Sequence, residues 1–403
     1  MRDGAAAIAE RIVAEAARLL GANGFVPIAS AHIDGCLYHG DSGVAFAERL
    51  VALGGRVAVP STLNVGALDL LHSGRVRFDS HRADMAARLM RAYEALGCAP
   101  TWTCAPYQAG HRPKLGEDVA WGESNAVAFV NSVLGARTNR IGDFLDIACA
   151  IAGKAPRYGL HLDENRKARV VVDTGAVSPA LKASDVFWPV LGTWLGSELG
   201  STVAAITGLP ADTPEDSLKA LGAAAASAGA VALFHVVGRT PEAPTLQAAL
   251  GDNPPARTIR LTPGMLRNAL DRLSTSSSEE IDAVAVGSPH LSLDEFRELA
   301  RLAAGRRFAV PFYACTSRFT LSEAERAGLL PALREAGIEI VTDTCVVVAP
   351  ILPESGGVLM TNSGKFAHYA PGNTGFATRY GSLADCVASA VSGRVVRDER
   401  LWS

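Results

Sequence analysis

The sequence predicts an α/β protein whose parallel or mixed sheets are flanked by helices. Three observations carry that expectation. From Thr258 onward, short apolar runs alternate with amphipathic segments, which implies right-handed crossovers between parallel strands. Near the N-terminus a strand-like run, Phe25 to Ala29, leads through a polar loop into a helix from about Ser42 to Leu53. Open α/β sheets place ligand-contacting groups in such loops. Apolar residues make up 48% of the 403 positions, enough for sizeable cores, and abundant Ala and Gly let helices pack closely on sheets.

The elements follow in order. The first helix sets Ile8, Ile12, Ala16 and Leu19 near one face. His32, Asp34, Cys36, Tyr38 and His39 crowd the first polar loop. Arg56 to Val59 reads as a short strand, and His81 to Leu96 as a helix with Met85, Leu89, Tyr93 and Leu96 inward. Thr101 to Tyr107 is strand-like and must stop at Pro106, which leaves Cys104 at a strand end. Ser124 can cap a helix running to about Leu134, and a second helix spans Gly142 to Ile151. Arg157 to Leu162 and Arg169 to Asp173 read as extended. FWPVLGTWLGSELG and VAAITGLP read as buried helices with glycine-mediated packing. A helix over Pro214 to Ala228 faces a strand over Val231 to Val236.

Pro and Asp/Asn density rises from Pro241 to Pro255, so the boundary is placed there. Residues 1–245 form one α/β region with Cys104, and residues 246–403 form a second with Cys345 and Cys386. In the second, strands are expected at Ile281 to Val286, Phe308 to Tyr313 and Ile338 to Val341, and helices at Leu293 to Ala303 and Leu321 to Ala336. Ser288, His290, Thr316 and Ser317 then emerge at one sheet edge. The run after Cys345, Val346 to Val348, reads as a buried strand with a thiol at its mouth. Ser382 caps a last helix that carries Cys386.

Bulk properties exclude several classes. The formal charge is −3, and no basic patch points to nucleic acid. The apolar stretches are too short and too interrupted to span a bilayer. The N-terminus is helical rather than signal-like. A cytoplasmic location with reduced thiols follows, and seven dispersed cysteines do not read as a disulfide framework. Zinc-ribbon, nucleophile-elbow and Walker motifs are missing. Dispersed thiols can still converge on a soft metal, and an open coordination position would make that metal a Lewis acid for loss of a hydroxyl.

The strings AHIDGCLYHG (31–40), TCAPYQAG (103–110), WGESNAVAFVNSVLGARTNR (121–140), GSPHLS (287–292), DTCVVVAP (343–350), TNSGKFAHYAPG (361–372) and YGSLADC (380–386) resemble the aconitase X family over nearly the whole chain. The resemblance implies an aconitase-like multidomain architecture whose swivelling domain is absent from this chain. It implies an iron-dependent hydro-lyase acting on a small hydroxy acid. The wording lies nearer the type that converts cis-3-hydroxy-L-proline to Δ1-pyrroline-2-carboxylate than the type that dehydrates phosphomevalonate. It also implies that a small swivelling-domain subunit supplies a serine base.

By the same resemblance, Cys104, Cys345 and Cys386 match ligands of an iron-sulfur cluster, [2Fe-2S] or [4Fe-4S], or of a mononuclear iron. Cys36 and Glu123 are possible additional ligands, and Cys315 lies outside the matched strings. Lys365, His39 and His368 are candidate catalytic groups. Asn125, Arg137, Asn362, Ser363 and Lys365 are candidate substrate contacts, the two cations through charge-assisted bonds to a carboxylate. The bland alternatives are buried core thiols, loop braces and turn residues. From another class, a non-catalytic metal-binding scaffold would use the same thiols.

Overall fold

The computed structural model describes residues 4–402. Among these, strands form three parallel sheets in successive parts of the chain, beside one antiparallel ribbon that pairs Phe25–Pro27 with Lys154–Pro156. No helix in them is long and apolar enough to cross a membrane.

In the first part, Ser61–Leu63, Ala31–Ile33 and Ala120–Trp121 run parallel in that order, with Ala31 paired to both Ser61 and Ala120. The helix Ala5–Leu19 buries Ala5, Ala9, Val13 and Ala17 and packs on Leu145–Ala152. Asp79 caps the helix Ser80–Ala95 by accepting from the Arg82 N–H at 2.8 Å. Two expected strands are absent. Arg56 to Val59 is irregular, and the strand forms after Pro60 instead. Thr101 to Tyr107 is not a strand either, because Trp102 has φ 44°, outside any sheet conformation. There the Thr101 hydroxyl replaces the ladder, accepting from Leu63 N at 3.0 Å and donating to Leu63 O at 2.8 Å.

The second part is a four-stranded parallel sheet, ordered His235–Val236, Ala204–Thr207, Val170–Asp173 and Arg257–Arg260. This overturns the expected boundary at 245/246, which would cut the sheet between its outer strands. Proline density there marks a loop within one sheet. VAAITGLP supplies the strand Ala204–Thr207 rather than a helix, and Arg157 to Leu162 contains a 3-10 turn, Gly159–His161. The glycine packing expected of FWPVLGTWLGSELG is present. The helix Phe187–Leu199 crosses Glu215–Ala228 so closely that a Cβ on Gly196 would lie 2.5 Å from Ala225 O and 2.7 Å from Gly229 N. Glu215–Ala228 also packs on the helices Ser124–Phe129 and Gly364–Thr374, so it touches both other parts.

The third part is a five-stranded parallel sheet, ordered Ile338–Thr342, Phe312–Thr316, Ala283–Leu291, Val358–Thr361 and Ala377–Tyr380. GSPHLS is not a separate loop. It continues the strand Ala283–Leu291 through an irregularity between Val286 and Leu291. Gly287, at φ 93°, brings that irregularity against the Cys315 carbonyl, where a Cβ would collide. The helix expected over Leu321 to Ala336 is two helices, Arg318–Arg326 and Leu330–Ala336, separated at Gly328 with φ 71°. Val346 to Val348 is a turn, since the strand ends at Thr342. Serines cap the helices that follow the strands: Ser292 and Ser382 in capping boxes, Ser317 and Ser363 singly.

Two predictions follow from this packing. Gly196→Ala forces the two helices apart and should cost about 1–3 kcal/mol, read as a lower urea midpoint at unchanged slope. A wild-type midpoint would mean that the helices do not meet there.

The second concerns buried histidines. In the first part Thr62 Oγ1 meets His32 Nδ1 at 2.8 Å and His111 Nδ1 at 2.7 Å, while His111 Nε2 meets Ser30 Oγ at 2.8 Å. Burial holds both rings neutral, His111 down to about 4 and His32 well below its ordinary value. The unfolded chain binds protons on both below pH ~6.5, whereas the fold does not. Their contribution is therefore complete above that pH and is lost as pH falls toward the depressed values, at about 1.4 kcal/mol per pH unit for each ring. Urea titrations between pH ~7 and ~5 should show a shallower pH slope in His111→Gln. An unchanged slope would reject the neutral burial of His111.

Candidate active site

In the first part, the residue after each parallel strand points to one place: Asp34 after Ala31–Ile33, Asn64 after Ser61–Leu63, and Gly122 and Glu123 after Ala120–Trp121. In the third part the strand ends supply Ser288, Cys345 and Lys365. The carboxyl ends of two parallel sheets thus face each other, the position at which such sheets bind ligands. Between them lies a cavity of about 390 Å³ lined by Asp34, Asn64, Cys104, Glu123, Cys345 and Lys365.

Lys365 is the centre of its polar wall. Its ammonium pairs with Glu123 Oε1 and donates to Asn125 Oδ1 at 2.6 Å. Burial opposes that charge, but Glu123 and the nearby sulfurs of Cys104 and Cys345 outweigh it and raise the lysine above its ordinary value. Glu123 also caps the helix Ser124–Phe129, accepting from Ala126 N at 2.7 Å, so the cap is Glu123 and not Ser124. Asn125 donates to the Cys104 carbonyl at 2.8 Å. Asp34 accepts from Asn64, and its own N–H donates to the buried Asp146 carboxyl at 2.7 Å. Burial first, and then the charges of Glu123 and Asp143, push the Asp34 carboxyl up to about 7.

The two cavity thiols sit among backbone N–H groups. The His290 N–H donates to Cys104 Sγ at 3.4 Å. Burial raises Cys104 to about 12, partly offset by Lys365. Burial also raises Cys345, offset by the N–H groups of Val347 and Val348 and by Lys365. The apolar run after Cys345 closes as a turn instead, with the Val348 and Ala349 N–H groups donating to the Cys345 carbonyl at 3.2 and 3.1 Å. The Val346 N–H is directed at a third thiol, Cys315, whose charge couples to Cys345 and Cys104. Cys315 is buried beneath Cys345 in the same apolar cluster. Its sequence signal is positional: it is the last residue but one of the strand Phe312–Thr316, which lies between the strands Ile338–Thr342 and Ala283–Leu291.

The other expected residues separate from this centre. Cys386 is buried among Val284, Val286, Met360 and Val387, whereas Cys345 packs with Ala283, Ala285 and Leu359. Alternate residues of one strand point to opposite faces of its sheet. Cys386 and Cys345 therefore lie on opposite sides of the five-stranded sheet, and the expected triad Cys104–Cys345–Cys386 is not assembled. Cys36 is fully buried, with its thiol donating to Ile33 O and Asn64 O at 3.4 Å, behind the cavity wall. Arg137 pairs with Asp163 and does not line the cavity. Arg140, three residues on, lines it and makes no ion pair among the described residues.

His39 is exposed at the rim, where it also borders a neighbouring cavity of about 490 Å³. That cavity is larger but contains neither thiol nor Lys365, so the chemistry belongs to the smaller one. His368 is exposed beside Tyr369 and lies outside the lining. Asn362 and Ser363 border a separate small cavity. Ser363 caps Gly364–Thr374 and donates to the Ser288 carbonyl. Asn125 braces Lys365 and Cys104 from behind.

Among the described residues, no three His, Cys, Asp or Glu side chains stand close enough to hold a metal ion as they lie. The donor set nevertheless fits a soft metal in part. Two thiols open on one cavity, each receives N–H donors that favour a thiolate, and a third sulfur lies behind them.

Profiles described as Aconitase X first, second and third domain match residues 1–164, 168–271 and 281–392, the same division as the three sheets. A Pseudomonas aeruginosa protein named cis-3-hydroxy-L-proline dehydratase is 45% identical over 97% of this chain and 68% of its own length. A protein of the same name from Hypocrea jecorina is 41% identical over 96% of this chain, which spans 66% of it. The chain thus spans about two thirds of the length of these relatives. The phosphomevalonate dehydratase large subunit of Methanothermobacter thermautotrophicus is 41% identical, covering 90% of this chain and 88% of that one. The crystal structure of Thermococcus kodakaraensis aconitase X (holo-form) superposes with a TM-score of 0.85 at 34% identity, over 96% of both chains. The chain belongs to the aconitase X family.

Proposed function

We propose that this chain is the catalytic part of an iron-dependent hydro-lyase that dehydrates cis-3-hydroxy-L-proline. One observation carries the reading: Cys104, Glu123, Cys345 and Lys365, far apart in sequence, meet in one cavity at the facing ends of two sheets. The relatives named for this activity support the substrate. Phosphomevalonate fits less well, because a phosphate calls for more cationic or N–H donors than Lys365 and Arg140 provide.

Cys104 and Cys345 would hold the metal, and a cluster that needs a third thiolate would draw on Cys315 rather than Cys386. When bound there, iron supplies Lewis-acid polarisation of the substrate hydroxyl. The chain's own groups do the rest. Lys365 and Arg140 bind the carboxylate. Asp34, pushed up to about 7, carries a proton near neutral pH and gives it to the departing C3 hydroxyl. Removal of the C2 proton completes loss of water, and the enamine tautomerises to Δ1-pyrroline-2-carboxylate. The base is a serine on a small swivelling-domain partner, in keeping with relatives named as large subunits. Seven free, buried cysteines suit the reducing cytoplasm.

The test is anaerobic purification with and without the small partner, with assays for iron, sulfide and turnover of both substrates. Cys104→Ala and Cys345→Ala should lose iron and lower kcat/KM about 1000-fold, since Lewis-acid stabilisation is worth several kcal/mol. Cys386→Ala should keep both. Full turnover without iron rejects the metal reading, and full turnover by the chain alone rejects the partner. In wild type, kcat/KM should fall about tenfold per pH unit above ~7 as Asp34 ionises. That limb should vanish in Asp34→Asn, and its persistence there would assign the acid elsewhere.

A further inference from the structure

Behind the two thiols, His290 is fully buried and joins three parts of the chain. Its Nδ1 lies 3.0 Å from the Thr103 hydroxyl, its Nε2 3.2 Å from the Thr344 carbonyl, and its backbone N–H 3.4 Å from Cys104 Sγ. Thr103 and Thr344 are the residues immediately before Cys104 and Cys345. A carbonyl can only accept, so Nε2 carries the ring proton. Nδ1 then accepts from the Thr103 hydroxyl, which leaves one tautomer and one ring orientation. The backbone of His290 is held from the helix Glu215–Ala228 of the second part. Lys219 Nζ donates to its carbonyl at 3.4 Å, and Lys219 is itself buried between Asp216 and Glu295. The ring is therefore a strut of set length between the two peptides that carry the thiols.

We infer that His290 is a positioning residue that fixes the separation of the Cys104 and Cys345 sulfurs so that one metal can take both. This rests on the metal reading above. His290 makes no contact with the cavity, so it is not a substrate group, and His290 as mere core filling would affect folding alone. Partners that orient metal ligands from behind are worth about 10–100-fold in metal affinity.

The test titrates Co(II) alone into chelator-stripped full chain under anaerobic, reducing conditions, following thiolate-to-cobalt charge-transfer absorption. Wild type should develop the band, and Cys104→Ala should lose much of it. His290→Ala should bind Co(II) about 10–100-fold more weakly with an altered band, and His290→Gln, which keeps a donor for the Thr344 carbonyl, should recover part of the loss. Thr103→Val removes the partner of Nδ1 and should weaken binding in the same direction while leaving the circular dichroism unchanged. Absence of a thiolate band in wild type overturns the metal reading and this inference together. A wild-type band with wild-type affinity in folded His290→Ala overturns the inference alone. If His290→Ala does not fold, wild-type affinity in both His290→Gln and Thr103→Val does the same.

Discussion

The arrangement depends on the buried ion pair between Lys365 and Glu123. It joins the helix after a strand of the third sheet to the helix after a strand of the first, 242 positions apart in sequence. Such a pair is weak evidence for stability, because desolvating two charges offsets their attraction. Removing one partner, however, leaves a buried charge and costs about 3–5 kcal/mol. The pair therefore ties the two sheets together, and replacing either partner leaves the other charge buried between them. Asn125 extends the tie to the thiols, since one amide both accepts from Lys365 and donates to the Cys104 carbonyl.

The same geometry explains why catalytic groups come from strand ends. Parallel strands direct their following loops to a single edge, and here two sheets present those edges to each other. The first contributes carboxylates, amides and the Cys104 sulfur, and the third contributes the Cys345 sulfur and the ammonium. The turn from Cys345 to Val348 is essential to the sulfur side. The N–H groups of Val348 and Ala349 close on the Cys345 carbonyl, and backbone N–H groups of the turn hold the Cys345 and Cys315 thiols below where burial alone would push them.

Much of this was legible from residues. Alternating strands and helices marked the third sheet and Ser382 its last helix, but the strand that leads into Asp34 is Ala31–Ile33, inside the expected polar loop, while Phe25–Pro27 joins the antiparallel ribbon. What failed did so for physical reasons. Val346 to Val348 has a strand's composition but closes into a turn on the Cys345 carbonyl. Thr101 imitates a strand through its side chain. Cys386 has the setting of a ligand, near a serine cap on a first helical turn. Only the sheet's pairing, which fixes which face each strand residue takes, shows that it points away from Cys345. Arg137 and Arg140 look alike in sequence, and the difference is the carboxylate of Asp163, which only folding brings to Arg137.

The division between Asp34 and Glu123 shows how one cavity can assign two carboxylates different tasks. Both lie at strand ends of the same sheet. Glu123 is paired with an ammonium and with a helix N-terminal N–H, so its negative charge is matched on both oxygens. Asp34 has only an amide donor from Asn64, with Glu123 and Asp143 near enough to repel its charge. Environment alone thus leaves one carboxylate to hold the lysine and the other to carry a proton near neutrality. Moving the ammonium from Glu123 to Asp34 would exchange these tasks, so the position of Lys365 on its helix sets which side of the cavity is acidic.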